Sequence, residues 1–365
     1  IDLKFYSADD NNLKYDFIVA PNADPNQIQL QYNGVNSIAL DKGSLVIETS
    51  VNKLVEQKPY AYQIINGKQK EVKCNFKLTN NVLSFDFPRG YNKSIPLIID
   101  PALIFASYSG ATIDNWGYTS TFDEDGNLFG GGVAFGLGYP TTVGAFQIIY
   151  NGGYCDISIS KFNPYGTNLI YSTYIGGASN DYPHSLIVNH NNELLVFGTT
   201  KSINFPMAGG GYDPTQNGGY DIFVAKFNPL GTTLLASTYV GGAADDGQNR
   251  GNPLKYNYAD DYRGEIVVDE TDNVFVASTT YSVNFPTTAG VFGPSYIPGD
   301  GGQNACVLKL SPNLTTLTWS SYFGGNMGDA AYSLQFDELG NILFTGGTKS
   351  PDLPISPTAF KQTLG

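Results

Sequence analysis

The sequence predicts an all-β chain in which an N-terminal β-sandwich is followed by the four-stranded blades of a partial β-propeller. One observation is a long phrase that recurs: DISISKFNPYGTNLIYSTYIGG at 156–177 returns as DIFVAKFNPLGTTLLASTYVGG at 221–242. Repeats of this length are typical of solenoids and propellers, in which one supersecondary unit is copied side by side. A second observation is composition, because only 15% of residues are charged while glycine, tyrosine and phenylalanine are abundant. That balance favours short strands joined by tight turns.

The first predicted domain, residues 1–101, lacks the repeat and shows many short runs in which apolar and polar residues alternate. LKYDFIVA at 13–20 and SLVIETSV at 44–51 are examples, and Asn, Gly, Asp and Pro separate such runs. Alternation with a period of two, without helical periodicity, predicts an antiparallel β-sandwich. The run PLIIDP ends at Pro101, which marks the predicted boundary with a second domain, residues 102–365.

The second predicted domain consists of units that each hold four strand-like runs and no segment long enough for a helix. In one unit these runs are 156–162, 169–175, 185–189 and 193–199. The turn NPYG at 163–166 combines a proline that fixes φ with a glycine that suits a positive-φ position. Four antiparallel strands without helices predict a propeller blade rather than a helical solenoid.

The complete motif is similar to a known repeat family. Its second half, DYRGEIVVDETDNVFVASTTYSVNFPTTAGVF at 261–292, resembles the seven-bladed β-propeller (SBBP) repeats of secreted bacterial proteins. The run YDFIVAPNADPNQIQLQYNG at 15–34 is similar to the β-rich domain that precedes such arrays in proteins of the Bacteroidota. The resemblance implies secretion to the outer surface of a Gram-negative bacterium. It further implies cargo of the type IX secretion system or a gliding-associated surface adhesin.

The same resemblance implies that the first strand of each blade is innermost and the STY strand outermost. The blades then cover 117–175, 185–240 and 264–322, and a fourth begins at 332, about three and a half blades in all. The opening strand, Leu103–Tyr108, becomes an outer strand that awaits a blade from the far end of the chain. Because propellers usually close their ring in this way, we expect the chain to be the front part of a larger secreted protein.

Charge and hydropathy argue against two classes of partner. With 33 acidic and 20 basic residues the formal charge is −13, which disfavours nucleic acid and anionic lipid because both are polyanions. No run approaches about 18 apolar residues, so no membrane insertion is expected.

The cysteines Cys74, Cys155 and Cys306 lie far apart at non-equivalent positions of the repeat. This placement predicts incidental small residues rather than a disulfide framework.

One loop is individual to a single unit and is the leading candidate for a contact site. Gly177 and Asp181 are 4 positions apart, whereas Gly242 and Asp261 are 19 apart. The difference places 15 extra residues within AADDGQNRGNPLKYNYADD at 243–261, a segment rich in Asp, Asn and Tyr. Long loops on a rigid scaffold are a frequent place for recognition. The alternative is a decorative loop in a tolerant position.

Two sets of side chains at this loop-rich end are candidate ligands. Carboxylates that bracket a loop suit a calcium ion, the one cofactor that the sequence suggests. Exposed aromatic side chains can stack on sugars, although packing between blades is the alternative. The candidate calcium ligands are Asp245, Asp246, Asp260 and Asp261, and the candidate ligand-binding residues are Trp116, Tyr256, Asn257 and Tyr258.

The sequence predicts no catalytic machinery. Its two histidines are His184, expected in a loop after Pro183, and His190, expected in a hairpin turn, and neither is paired or repeated. The hydrolase signatures GxSxG and HExxH and the phosphate-binding loop are absent from the sequence.

Two charged residue types recur at fixed places in the units, which indicates structural roles. The expected set of aspartates, each accepting backbone N–H groups where a loop enters the inner strand, is Asp114, Asp181, Asp261 and Asp329. The recurrent lysines, also expected to be architectural, are Lys161, Lys226 and Lys309.

These observations favour a non-enzymatic interaction or adhesion module at the cell surface. Its expected partner is a cell-surface or secretion-machinery protein, or an extracellular glycan. Two alternatives stay open. One is a carbohydrate-binding or carbohydrate-cleaving propeller, which would gather aromatic and acidic side chains in one pocket. The other is a structural segment of a surface assembly with no ligand of its own.

Overall fold

The computed structural model describes residues 1–7, 13–48, 53–56, 58–65, 67–100, 109–164, 166, 168–250, 254–255, 260–297 and 302–364. The chain divides into two compact units, Ile1–Ala106 and Ser107–Gly365. Both units consist of β-strands, which confirms the predicted all-β class. Within the described ranges, no helix is long and apolar enough to cross a membrane.

The N-terminal unit contains three antiparallel sheets. Its strands are β1 (Asp2–Ser7), β2 (Leu13–Val19), β3 (Leu30–Gln31), β4 (Ser37–Asp41), β5 (Ser44–Glu48), β6 (Lys53–Glu56), β7 (Tyr60–Ile65), β8 (Lys68–Val72), β9 (Asn75–Thr79), β10 (Val82–Asp86) and β11 (Leu97–Asp100). The sheet orders are β1-β2-β11-β7-β8, β3-β10-β9 and β4-β5-β6. A single turn of 3-10 helix spans Pro25–Gln27.

Two of these sheets share one core. Phe17 and Leu97 come from the five-stranded sheet, and Phe85 comes from the sheet β3-β10-β9. The rings of Phe17 and Phe85 meet edge to face with centroids 5.8 Å apart. Alternate residues of these strands are buried, as the period-two pattern requires, and each large apolar side chain contributes about 1.5–3 kcal/mol. The unit is therefore a multi-sheet β domain with sandwich-like packing.

The second unit contains repeated sheets joined by short turns. Its strands are β12 (Asn115–Phe122), β13 (Leu128–Ala134), β14 (Asp156–Phe162), β15 (Leu169–Ile175), β16 (Asp181–Val188), β17 (Leu194–Thr200), β18 (Asp221–Phe227), β19 (Leu234–Val240), β20 (Glu265–Val268), β21 (Val274–Thr280), β22 (Asn304–Leu310), β23 (Leu317–Phe323), β24 (Asp329–Phe336) and β25 (Ile342–Thr348). β12–β15, β16–β19 and β20–β23 each form a four-stranded antiparallel sheet in chain order, and β24 pairs with β25.

These sheets have the form predicted for propeller blades. The first strands of successive sheets contact one another, β12 with β16, β16 with β20, and β20 with β24. The first strand of each blade is therefore innermost, as the family resemblance implied. The predicted outer strand Leu103–Tyr108 lies outside the described residues.

Adjacent blades pack face to face through alternating residues of the same strands. Val196 of β17 lies in a core shared with Ile157 and Ile159 of the preceding blade. Its neighbour Phe197 lies in a different core, shared with Val276 of the following blade. Because successive side chains of a strand point to opposite faces, each blade is buried on both sides. This explains the nearly continuous apolar runs of the central strands.

Residues that recur in the repeat make contacts within each blade. The hydroxyl of Tyr239, the STY tyrosine of the second blade, donates to the carbonyl oxygen of Ser202 at 2.8 Å. Lys161 bridges to Asp123 in the preceding hairpin turn, with 2.9 Å between Nζ and Oδ2, and both side chains are nearly inaccessible. The first carboxylate of the DEDGN turn, Asp123, therefore belongs to the hairpin turn and also forms an ion pair.

The recurrent aspartate also has a structural role, but the predicted set was wrong at two places. Asp181 pairs with Thr200 across the first two strands of its blade, and its Oδ2 accepts the backbone N–H of Gly177 at 2.8 Å. In the third blade the residue with these contacts is Asp246, which accepts the N–H of Gly242 at 2.7 Å. Asp261 lies further along the chain and does not take this place.

In the first blade the register-equivalent position is Asn115 rather than Asp114. Asn115 is opposite Ala134, the residue that corresponds to Thr200 of the second blade. Asp329 of the fourth blade is opposite Thr348 and accepts the N–H of Gly325 at 2.8 Å, as predicted. Strand pairing, which sequence spacing alone does not give, therefore fixes the equivalent positions.

Candidate functional site

A cavity of about 340 Å³ opens where the inner strands of the blades meet. It lies beside the middle of β12, β16 and β24 and the start of β20. We call it the inner-strand cleft. Its lining residues are Tyr118, Thr119, Ser120, His184, Ser185, Leu186, Tyr262, Arg263, Gly264, Glu265 and Tyr332.

Three β-bulges aim side chains into the inner-strand cleft. The pairing of first and second strands shifts by one residue after Gly117, after Pro183 and after Ala331. The extra residue at each shift is Tyr118, His184 or Tyr332, and all three line the cleft. Bulges re-aim a side chain while leaving the strand intact, and they are frequent beside functional sites.

A glycine opposite each bulge makes the distortion feasible. Gly198 pairs with Pro183, immediately before the bulged residue of the second blade, and a Cβ on Gly198 would collide with the carbonyl oxygen of Tyr182. Gly132 and Gly346 stand in the same relation to the carbonyl oxygens on their partner strands. The third blade has Ser278 at this place and no bulge among its described pairs.

His184 is the most unusual side chain of the cleft. It is 7% exposed, and its ring packs edge to face on Phe197 with centroids 4.8 Å apart. Burial lowers its pKa to about 3, so the imidazole is neutral at physiological pH. Backbone of Arg263 lies near the ring, but neither ring nitrogen makes a hydrogen bond of ordinary geometry. His184 thus lines the cavity with both ring nitrogens buried, and the Arg263 backbone near them is not positioned for a hydrogen bond of ordinary geometry.

The sequence analysis placed His184 in a loop, and this was wrong. Strand β16 begins at Asp181 and includes both Pro183 and His184. Proline is tolerated there because the bulge interrupts the ladder where an N–H donor would be needed. The bulge turns the next side chain toward the cleft.

Tyr262 forms the aromatic wall of the cleft. Its ring stacks on Tyr182 at 3.7 Å with an interplanar angle of 11°. Tyr118 approaches the same ring edge-on, with 6.5 Å between centroids. Burial raises the pKa of Tyr262 above its usual range, so the phenol stays neutral. This residue ends the short 3-10 turn Asp260–Tyr262, which closes the insertion.

One cation and one anion complete the polar lining. Arg263 lies with its guanidinium carbon 5.5 Å from the centre of the Tyr332 ring, and one guanidinium nitrogen is 3.3 Å from Asp260. Glu265 accepts a hydrogen bond of 2.6 Å from the hydroxyl of Ser185 on the neighbouring blade. Among the described lining residues, Glu265 is the single carboxylate.

The insertion is tied to the blades through Asn249. Its side-chain amide donates to the carbonyl oxygen of Leu254 at 2.7 Å and to the hydroxyl of Tyr332 at 3.1 Å. Gln303 donates to its side-chain oxygen at 2.9 Å. The insertion therefore contacts Tyr332, a residue of the inner-strand cleft, and its end leads directly into Tyr262.

The four candidate calcium ligands have other partners. Asp245 pairs with Arg250 at 2.5 Å, Asp260 pairs with Arg263, and Asp261 pairs with Lys255 at 2.5 Å. Asp246 is fully buried and accepts from Gly242, Thr280 and Ser282. Across the described part of the chain, no three His, Cys, Asp or Glu side chains gather as a metal site. The predicted grouping of these carboxylates is therefore not what the structure shows.

The candidate aromatic residues divide between described and undescribed positions. Trp116 is 47% exposed and meets Phe135 edge to face at 5.0 Å, but it does not line the inner-strand cleft. Tyr256, Asn257 and Tyr258 lie outside the described residues. Sequence reasoning thus missed Tyr118, His184, Tyr262 and Tyr332, the residues that the structure brings together. The glycine found in the second strand of three units was a signal for the bulges.

A second cluster of titratable groups lies between the first two blades and is closed to solvent. A Cβ on Gly176 would lie 2.5 Å from Oδ1 of Asp156 and 2.8 Å from Oδ2 of Asp181, so the two carboxylates flank one glycine. Both residues are fully buried. Burial raises the pKa of each to about 7, and at Asp156 the nearby charge of Asp181 contributes to the rise. Asp221 and Asp246 flank Gly241 in the same way.

Comparison with known proteins identifies the N-terminal region only. Residues 1–102 match the model of a domain of unknown function, DUF7948. No curated protein matches the sequence.

Solved structures with related outlines share little sequence with this chain. A protein of unknown function from Dyadobacter fermentans is 10% identical with a TM-score of 0.35, covering 93% of this chain and 79% of the other. A xylan β-1,4-xylosidase from Bacillus halodurans is 9% identical with a TM-score of 0.26, covering 90% of this chain and 59% of the other. A structural genomics protein of unknown function from Bacteroides thetaiotaomicron is 12% identical with a TM-score of 0.22, covering 90% and 83%.

Proposed function

We propose that this chain is a non-enzymatic binding module that acts at the bacterial cell surface, and that the inner-strand cleft is its recognition site. The observation that carries the proposal is the set of three bulges at one register position. They direct Tyr118, His184 and Tyr332 from three different blades toward one cavity. In the third blade the pairing of β20 with β21 begins only at Glu265, and the insertion after Asp246 occupies the place of the bulge.

The chemistry of the cleft supports binding over catalysis. Hydrolysis of a glycosidic bond needs two carboxyl groups on opposite sides of the bond. The described lining offers one, Glu265, and Ser185 already holds it. The buried pair Asp156 and Asp181 has the right residue types but no exposed surface. His184 is neutral and not hydrogen-bonded to a hydroxyl nucleophile, which argues against the acyl-transfer arrangement.

The surface location rests on the resemblance to SBBP arrays and on composition. The charge of −13 suits a protein that stays in solution beside anionic envelopes without adsorbing to them. Export by the type IX system and a role in adhesion or gliding are part of this proposal. Protease shaving of intact producing cells tests the location, since a surface protein is digested while cytoplasmic proteins survive.

Binding is tested by blocking the cleft. Ser120 is exposed and lines it, so Ser120→Trp fills the cavity without entering a core. Leu230, 66% exposed in the NPLG turn at the other end of the blades, gives the matched control Leu230→Trp. The measurement is saturable binding of the labelled, purified chain to intact cells and to their shed extracellular polymers. Loss with Ser120→Trp alone is expected, whereas equal binding by both variants and the unmodified chain would refute the proposal.

A further inference from the structure

We propose that the inner-strand cleft binds a neutral sugar residue of an extracellular glycan, an inference that rests on the binding function proposed above. Three properties of the lining lead to this class of ligand: the partnerless imidazole, the balanced charge and the aromatic faces.

The two ring nitrogens of His184 select the ligand by hydrogen-bond type. A neutral imidazole presents one N–H donor and one lone-pair acceptor, and both are buried here without a partner. A hydroxyl group both donates and accepts, so a polyol satisfies both nitrogens. A carboxylate or phosphate only accepts and would leave the acceptor nitrogen unpaired. An ammonium group only donates and would leave the N–H unpaired, and leaving either group buried and unpaired weakens binding.

Charge balance excludes a strongly ionic ligand. The described lining carries one cation, Arg263, and one carboxylate, Glu265, and burial keeps His184 uncharged. Arg263 is already paired with Asp260, so no excess positive charge is available for an anion. Arg263 and Glu265 lie two residues apart on one segment of the lining, and such a guanidinium and carboxylate suit the neighbouring hydroxyls of a sugar, because one donates and the other accepts.

Shape and aromatic surface agree with a sugar ring. The cleft volume of about 340 Å³ is at the lower end of small-molecule sites and holds a single ring with its hydroxyls or a short extension of it. Tyr262 is held rigidly by stacking on Tyr182, and Tyr118 and Tyr332 stand on neighbouring blades. Such rings pack on the C–H faces of a pyranose, and the hydroxyls of Tyr262 and Tyr332 are held in place by Gln248, Asn249 and Leu254.

Neutral sugars are the probes for the direct test. The intact chain is screened against an array of neutral hexose and pentose glycans, and hits are measured by calorimetry as free oligosaccharides. Parallel arms contain uronic and sialic acid glycans and inorganic phosphate. We expect binding in the neutral arm only. Binding confined to the acidic or phosphate arms, or no binding of any neutral sugar at millimolar concentration, overturns the inference.

The chain offers a matched pair of histidine variants. His184→Leu keeps the ring's approximate volume and removes both hydrogen-bonding nitrogens, whereas His190 lies in an exposed turn, paired with Asp272. We expect His184→Leu to weaken sugar binding by about tenfold or more, because ligand hydroxyls then lack buried partners. His190→Leu is expected to bind normally. Equal affinity for both variants would show that His184 does not contact the ligand and would overturn the inference.

Folding of the variants and the proposed binding function of the cleft are checked separately. Thermal unfolding identifies a variant that fails to fold, and Glu265→Gln, which keeps size and shape, gives a second cleft substitution with an expected loss of about tenfold. If Ser120→Trp abolishes binding to cells while no neutral sugar binds, the ligand class is wrong and the binding cleft stands. If Ser120→Trp leaves cell binding intact, the proposed function itself fails.

Discussion

The buried carboxylate pair between the first two blades makes the stability of the second unit depend on pH in a defined direction. In the folded chain, burial and then the nearby Asp181 raise the pKa of Asp156 from 3.8 to about 7. Between these values the folded chain holds a proton that the unfolded chain has released. The free energy of unfolding therefore decreases as the pH rises through this window, and Asp156 is the source of part of that decrease.

Asp156→Asn removes the ionisation and should raise stability at neutral and alkaline pH. The shift spans about three pKa units at roughly 1.4 kcal/mol each, so the gain at pH 8 is on the order of 2–4 kcal/mol after allowance for relaxation. Near pH 4 the gain should be small, because the carboxyl is then protonated in the folded chain and close to half protonated in the unfolded chain, so little of the pKa difference is expressed. The third blade already contains the amide: Asn304 takes the place of Asp156 and hydrogen-bonds both backbone groups of Ile297 at 3.1 Å.

Urea unfolding at pH 4, 6 and 8 measures this difference. The two tryptophans, Trp116 and Trp319, both belong to the second unit, so their fluorescence reports the unfolding of the blades alone. Asn304→Asp is the matched control, because it creates a carboxylate pair with Asp329 and should lower stability at pH 8 more than at pH 4. A gain for Asp156→Asn that is the same at every pH would refute the reasoning, as would a loss that grows with pH.

Three other substitutions test the bulges and the repeated contacts, each by urea unfolding. Gly198→Ala should cost about 1–3 kcal/mol and weaken ligand binding, because its Cβ meets a carbonyl oxygen across the bulge, whereas Ser278→Ala at the equivalent unbulged position should be nearly neutral. Lys161→Met should cost about 3 kcal/mol at pH 8 by leaving the carboxylate of Asp123 buried without its cation, and less at pH 3, because Asp123 in the variant no longer has the lysine that lowers its pKa and can take up a proton. Tyr239→Phe should cost about 1–2 kcal/mol, since a buried carbonyl oxygen loses its donor. Unchanged midpoints for these variants would contradict the roles assigned to them.

Local sequence pattern was sufficient to predict most strands. The runs 156–162 and 169–175 coincide with β14 and β15, because strong alternation and explicit turn residues mark both ends. The start of β16 was placed four residues late, at 185 rather than Asp181. By any rule based on local sequence, the proline and histidine just before residue 185 indicate a loop. The opposing glycine that makes the bulge possible lies on the next strand, and a local rule does not consider it.

The cleft was harder to predict because its residues come from four separate units. Asp245–Asp246 and Asp260–Asp261 are two copies of the same dipeptide, and spacing alone gives no reason to prefer one as the repeat position. Pairing with Thr280 decides for Asp246. With Asp261 taken as the repeated aspartate, the insertion was expected to precede that aspartate. In the structure the insertion follows the repeated aspartate, Asp246, and Tyr262 is therefore at the junction between the insertion and the inner strand.

The bulges and the insertion are two solutions to one geometric requirement. In three blades a bulged residue reaches into the cleft, and a glycine on the second strand accommodates it. The third blade has Ser278 instead, and β20 begins to pair only at Glu265. The segment that replaces the start of this strand ends in the turn Asp260–Tyr262 and delivers Tyr262 and Arg263 to the cleft. The insertion thus compensates for a missing bulge, so its loss should remove ligand binding while the contacts of Asp246 that join the blades persist.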